Sequence, residues 1–260
     1  MRKIFEIFNN AGAGFRLLVT ETVKLLAFVL NIFRAIVTPP FHLRILFKQM
    51  WEIGFHSIPI VAFTALFAGM VLALQSYSGF SRFSAESAIA TVVIIALTRE
   101  LGPVFTGLMV SGRSGAAISA EIGTMKVSEQ IDALKTLSTD PFRYLIVPRV
   151  IATIIVMPFL TLIADIVGVF GGFFVSVKML GFNPHIYIQN SFEHLLMEDV
   201  ISGLIKSAVF GALISIVACY KGYYSEGGAA GVGKATKASV VVSSILILMF
   251  NYILTAVLFS

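Results

Sequence analysis

The stretch Ile53 to Leu74, IGFHSIPIVAFTALFAGMVLAL, contains no Asp, Glu, Lys or Arg. A bilayer core takes about 20 apolar residues as a helix, and in lipid each backbone polar group must find its partner within the helix. That restricts the chain to a membrane helix here. Further runs of the same kind follow at Ala88 to about Ser111, about Val150 to Val177, Val200 to Tyr220 and Ser239 to Phe259. The reading is an all-α polytopic membrane protein with five spans. The composition agrees: 57% of the 260 residues are hydrophobic and 13% charged, against about 25% charged in a soluble domain. Mean hydropathy is +0.92.

Residues 4–37 differ. Arg16, Thr20, Lys24, Asn31 and Arg34 recur on one stripe among Leu, Val, Phe and Ile. That pattern predicts an amphipathic helix lying in the membrane interface; the alternative is a weakly hydrophobic first span. Thr38-Pro39-Pro40 ends it. The domain reading is residues 1–44 as interfacial helix and elbow, and 45–260 as one five-span membrane unit.

The net charge of +5 is explained by loop charge asymmetry rather than by nucleic acid. Lys and Arg concentrate before the first span, between spans two and three, and between spans four and five, while the opposite loops hold only Arg82 and Lys178. The positive-inside rule then places the N-terminus in the cytoplasm and the C-terminus outside. The single Cys219 excludes an internal disulfide. No cleavable signal stands out at the N-terminus.

Three motifs bear on function. GGAAGVGKAT fits G-x-x-x-x-G-K through Gly228, Gly233 and Lys234. Position 235 is Ala, so the Mg²⁺-binding hydroxyl is missing, and no strand precedes the motif. A flexible cytoplasmic loop is expected there. In EIGTMKVSEQIDALKTLSTDP, Ser128 is a candidate N-cap with Glu129 in the first turn, and Val127, Ile131 and Leu134 form a short apolar stripe. Packing on the same chain and docking into a partner's groove both fit that stripe. The third motif is the set of ionisable groups inside spans: Arg99, Glu100, Asp165 and Lys206. Such groups mark a structural ion pair or a polar patch in a substrate path. Adjacent helical residues point about 100° apart, so Arg99 and Glu100 need not pair with each other, and Lys206 is a candidate partner for Glu100. Gly168 and Gly172 form a GxxxG that permits close helix contact. No catalytic residue set or metal-ligand motif is present in the sequence.

The segments GMVLALQSY (69–77), LTRELGPVFTGLMVSGRSGAAISAEIGTMKVSEQIDAL (97–134), DPFRYLIVPRV (140–150), GLIKSAVFG (203–211) and GVGKATKASVV (231–241) resemble the MlaE (YrbE) family of ABC-transporter permeases. The resemblance covers essentially residues 45–260. It implies a homodimeric permease for phospholipid in the bacterial inner membrane, with two cytoplasmic ABC ATPases that bind ATP and Mg²⁺. It also implies a hexameric MCE-domain protein on the periplasmic side and no cofactor in the permease chain itself. The resemblance further implies a lipid pocket at Arg99, Glu100 and Lys206, with apolar contacts from Leu72 and Phe80. It implies a coupling helix within Glu121–Leu137, including Glu121, Val127, Ile131 and Leu134. Alternatives are transport of another lipid such as a sterol, a non-transporting scaffold, or a membrane enzyme acting on lipid.

Overall fold

A computed structural model describes residues 2–39, 42–83, 85 and 88–259. Among the described residues there are eight helical segments and no strand: α1 (Arg2–Val37), α2 (Leu43–Phe80), α3 (Ala88–Val127), α4 (Gln130–Thr136), α5 (Phe142–Lys178), α6 (Pro184–Glu193), α7 (Met197–Tyr223) and α8 (Gly228–Leu258). Five of them, α2, α3, α5, α7 and α8, are long and apolar enough to cross a membrane. The fold class read from the sequence is therefore met: the chain is an all-α polytopic membrane protein.

Every span outruns its hydrophobic stretch. α3 is the extreme case, at 40 residues. At 1.5 Å per residue it is roughly 60 Å long, twice the hydrocarbon thickness. It does not stop near Ser111 but continues to Val127, because AAISAEIGTMK is made mostly of good helix formers. The break comes at Ser128, and the expected N-cap role there is overturned. Ser128 closes α3: its amide and hydroxyl both donate to the Thr124 carbonyl, at 2.9 and 2.8 Å. Glu129 turns the chain in the left-handed region (φ 59°), ahead of α4 rather than inside its first turn.

Two expected loops are helical. The GGAAGVGKAT segment is the beginning of α8. Gly227 (φ 89°) and Gly228 (φ 67°) turn the chain, and the Ala- and Val-bearing residues that follow continue as helix, with Val232 seated against Gly123 of α3. The second is α6. Asn183 caps it by accepting from the amides of His185 (2.9 Å) and Ile186 (3.4 Å), with Pro184 at its first position. Asn-Pro is a legible start signal for this helix.

α5 is the central element. Gly168, Gly171 and Gly172 let α2 approach until a Cβ at Gly69 would overlap the Gly168 carbonyl and one at Gly171 the Leu66 carbonyl. The close contact expected of the GxxxG is thus made with α2. α1 docks by Phe28, Ile32 and Ala35, which are buried at helical spacing, while Val23, Leu26, Leu30 and Phe33 remain exposed. The Phe28 ring lies 5.2 Å from Phe142 and 5.5 Å from Tyr220. An apolar face left open beside Lys24 and Arg34 is what an interfacial helix requires. Arg16's side chain and Pro40 lie outside the described residues.

Candidate functional site in the membrane spans

The site begins with a backbone irregularity. Leu97–Leu101 is a π turn within α3, and Gly102 donates back to the Leu97 carbonyl. Pro103 follows and has no N–H, so it withholds the i→i−4 donor from the Arg99 carbonyl. Single π turns of this kind recur at functional sites. Here the wider turn aims the side chains of Arg99 and Glu100 at α7 and α8.

α7 supplies Lys206, 0% exposed. Its ammonium group has three protons and three acceptors: Glu100 Oε1 at 2.7 Å, the Arg99 carbonyl at 2.9 Å and Thr255 Oγ1 at 2.8 Å. α8 supplies the rest along a stripe of every fourth residue. Ser239, Ser243 and Ile247 on that stripe are buried. Asn251 and Thr255 continue it, and Phe259 lies one step further. Asn251 Nδ2 donates to Glu100 Oε2 at 2.9 Å. The Thr255 hydroxyl shares its proton between the Glu100 carboxylate, 3.0 and 3.2 Å away, and the Asn251 carbonyl at 2.8 Å. Glu100 is therefore held on both oxygens.

Arg99 is placed differently. Its Nε is 3.4 Å from Asp199 Oδ1, and the Phe259 ring covers it with the guanidinium carbon 3.6 Å from the ring centroid, a cation–π distance. Asp199 also caps α7 by accepting from the Leu196 amide. The Arg99 side chain is 30% exposed. Its terminal nitrogens make no hydrogen bond among the described residues. The four charges, Arg99, Lys206, Glu100 and Asp199, cancel formally. Lys206 has its donors spent, whereas Arg99 is part exposed and its terminal donors are unused among the described residues.

Arg99, Glu100 and Lys206 are thus brought together, with Lys206 on Glu100 as the helical geometry suggested. Leu72 and Phe80 belong to a different, apolar cluster with Ala73, Ile89, Val93, Leu97 and Val175. Sequence reading missed Asp199, Asn251, Thr255 and Phe259. The spacing of Asn251 and Thr255, two polar residues four apart in an apolar run, is the signal that exposes them.

A second candidate surface lies at the far end of α3. α4 is held to it by Lys126, 2.9 Å from Asp132, a carboxylate that also takes Lys135 of its own helix at 2.9 Å. The Lys135 and Lys126 hydrogen bonds hold the Asp132 carboxyl below its usual range. Arg149 of α5 pairs with Glu121 at 2.9 Å. The apolar stripe does not face outward as one unit. Ile131 is buried and Leu134 packs partly buried against the core. Val127 is exposed, and so is Leu137 at 75%. Beside them opens a cleft of about 590 Å³ lined by Lys48, Glu52, Glu121, Gln130 and Arg149 among others.

Residues 46–257 match the family model for the permease MlaE. A probable ABC transporter permease protein of Rickettsia typhi is 60% identical over 225 residues, covering 86% of this chain and 87% of the relative. The chain is also similar to the chloroplastic protein trigalactosyldiacylglycerol 1 of Arabidopsis thaliana, 39% identical over 84% of this chain and 62% of the relative. The intermembrane phospholipid transport system permease protein MlaE of Haemophilus influenzae is 38% identical over 221 residues, 84% of each chain. A match across most of five membrane helices, with relatives above 30% identity over most of their length, establishes the kinship: the chain belongs to the MlaE permease family, as the membrane permease subunit of an ABC transporter.

Proposed function

We propose that this permease moves phospholipid between the inner membrane and a periplasmic MCE-domain carrier, as a homodimer driven by ATP hydrolysis in two cytoplasmic ABC subunits. ATP and Mg²⁺ are bound by those partners. The basic ends of the spans face the cytoplasm in this reading. The name of the Haemophilus relative supports phospholipid as the cargo. The observation that carries the reading is Arg99: a part-exposed guanidinium in a membrane span, oriented by Asp199 and Phe259, with its terminal donors unused among the described residues. Arg binds a phosphate through paired charge-assisted hydrogen bonds. The Glu100–Lys206 pair keeps the empty site neutral and fixes the turn that presents Arg99. Leu72 and Phe80 line the path for the tails. At the far end, Val127, Glu121 and the edge of α4 meet the ATPase, with Ile131 and Leu134 anchoring α4 to the permease body.

The test is lipid transfer from vesicles to the MCE protein by the reconstituted complex. Arg99→Gln is expected to lower the transfer rate about 10- to 100-fold, the effect of losing roughly 1.5–3 kcal/mol from a charged hydrogen bond, with subunit composition and ATP hydrolysis retained. Transfer at the unmutated rate would overturn the phosphate role.

A further inference from the structure

Beside the charged cluster, with Thr98 and Val200 in its lining next to Arg99 and Asp199 in the chain, is a cavity of about 450 Å³ framed by α3, α5, α6 and α7. Its walls are almost wholly apolar: Ile94, Leu162, Val169, Phe170, Phe173 and Phe192 are among them. Three polar side chains besides Tyr187 reach it. The Thr98 hydroxyl donates to the Ile94 carbonyl at 2.9 Å and the Ser191 hydroxyl to the Tyr187 carbonyl at 2.8 Å, so both are satisfied by their own helices. Asp165 is the exception. It is 7% exposed, lies against Gly102 of α3, and makes no hydrogen bond or ion pair among the described residues. A lone carboxyl in an apolar wall is unfavourable until a proton and a hydrogen-bonding partner accompany it.

The shape narrows the partner. From Leu162 to Phe173 the wall runs eleven residues along α5, roughly 16 Å. A volume of about 450 Å³ over that length gives a cross-section of roughly 28 Å². That is close to the width of one hydrocarbon chain, whereas a helix about 10 Å across, needing roughly 80 Å², does not enter it whole. At its rim Ile166 and Phe170 are exposed on the span α5 and Phe192 on α6, and the exposed apolar face of a span meets lipid.

We infer that this cavity is a lateral phospholipid site that takes one acyl chain, with the chain running from Asp165 toward α6 and the ester carbonyl accepting a hydrogen bond from the Asp165 carboxyl. The site shares no lining residue with the Arg99 cluster, which it adjoins through Thr98 and Val200. Its polar end lies beside Gly102, at the membrane depth of Glu100.

The experiment uses the full chain, with the subunits it retains, in nanodiscs of phosphatidylethanolamine and phosphatidylglycerol. A trace of phosphatidylglycerol carries a photoreactive diazirine in one acyl chain, and a parallel sample carries a diazirine fatty acid. After irradiation, labelled peptides are mapped by mass spectrometry. The phospholipid probe is expected to label the Leu162–Phe173 wall about fivefold over the exposed α2 face at Phe63 and Phe67, an enrichment of about 1 kcal/mol. Val169→Phe, which fills the cavity, removes that enrichment and leaves α2 labelling unchanged; Leu162→Phe serves if the first variant fails to fold. Asp165→Leu reduces wall labelling and Asp165→Asn, which keeps a donor, retains it. Equal labelling of both faces, insensitive to the filling variants, would identify ordinary surrounding lipid and overturn the site. Wall labelling by the fatty acid alone would overturn the phospholipid assignment. A membrane helix of another subunit cross-linked there in place of lipid would overturn it too.

Discussion

Lys206 donates to the backbone carbonyl of Arg99 at 2.9 Å, the carbonyl from which Pro103 withholds the usual helical donor. A cation on one span thereby completes the hydrogen bonding of a broken turn on another. The same ammonium holds Glu100 at 2.7 Å. One residue joins α3, α7 and α8, and the chemistry that fixes the helices is the chemistry that presents Arg99.

Removing one partner of such a pair leaves the other uncompensated. Lys206→Met is expected to destabilise the purified protein by about 3 kcal/mol, and somewhat less if water reaches the third-exposed Glu100. Glu100→Gln together with Lys206→Met recovers most of the loss. Thermal unfolding in detergent measures both, and a double variant no more stable than the single one would refute the pairing account.

The parts legible in the sequence were those set by hydropathy and charge. Five apolar runs mark five spans, and the adjacency of Arg99 and Glu100 on one helix leaves Lys206 as a candidate partner for Glu100. The errors have a common cause. Span ends were placed where hydrophobicity fell, yet α3 and α8 extend past that limit because their polar ends are still good helix formers. GVGKAT illustrates the point: its glycines suggest a loop, while its Ala and Val residues, with Val232 packed on Gly123, hold it helical. Asp199 is not legible as a partner of Arg99, because their salt bridge depends on a tertiary approach that no local pattern encodes.

Ile131 and Leu137 are separated by one residue fewer than two helical turns, yet their environments are opposite. Ile131→Asp buries a charge in the permease's own core and is expected to lower yield and melting temperature by an amount corresponding to about 3 kcal/mol or more. Leu137→Asp leaves the fold intact and, if this edge meets the ATPase, lowers ATPase co-purification about 10-fold, the effect of roughly 1.4 kcal/mol. Unchanged co-purification with Leu137→Asp would move the contact away from α4.

Tyr220 ties α7 to α1 by donating to Glu21 Oε2 at 3.0 Å. That bond, and secondarily Lys24, lowers the Glu21 carboxyl below its ordinary 4.5. A lowered carboxylate contributes stability that is present above the ordinary value and lost as pH falls through the lowered one. Glu21 is half exposed, so solvent keeps the effect small. Hydrogen exchange along α1 should therefore rise modestly below pH 4.5 in the natural protein, and Tyr220→Phe should raise exchange at neutral pH and flatten the pH dependence. Parallel pH profiles for the two proteins would count against the tether.

The charge exchange Glu100→Lys with Lys206→Glu separates a simple ion pair from the arrangement described. A simple pair tolerates reversal. Here reversal turns a carboxylate toward the Arg99 carbonyl, two acceptors with no proton between them. Unmet polar groups of this kind are destabilising by about 1–3 kcal/mol each. The exchanged protein is expected to melt below the Glu100→Gln/Lys206→Met variant despite keeping both charges. Adding Pro103→Ala restores an N–H in the turn that can serve the Arg99 carbonyl, so the triple variant should regain about 1 kcal/mol. In the natural background the same Pro103→Ala change should not stabilise, because Lys206 already occupies that acceptor. Melting temperatures of the four variants in one detergent decide it: full stability of the exchanged protein without Pro103→Ala would show that the pair acts alone and that the carbonyl plays no part.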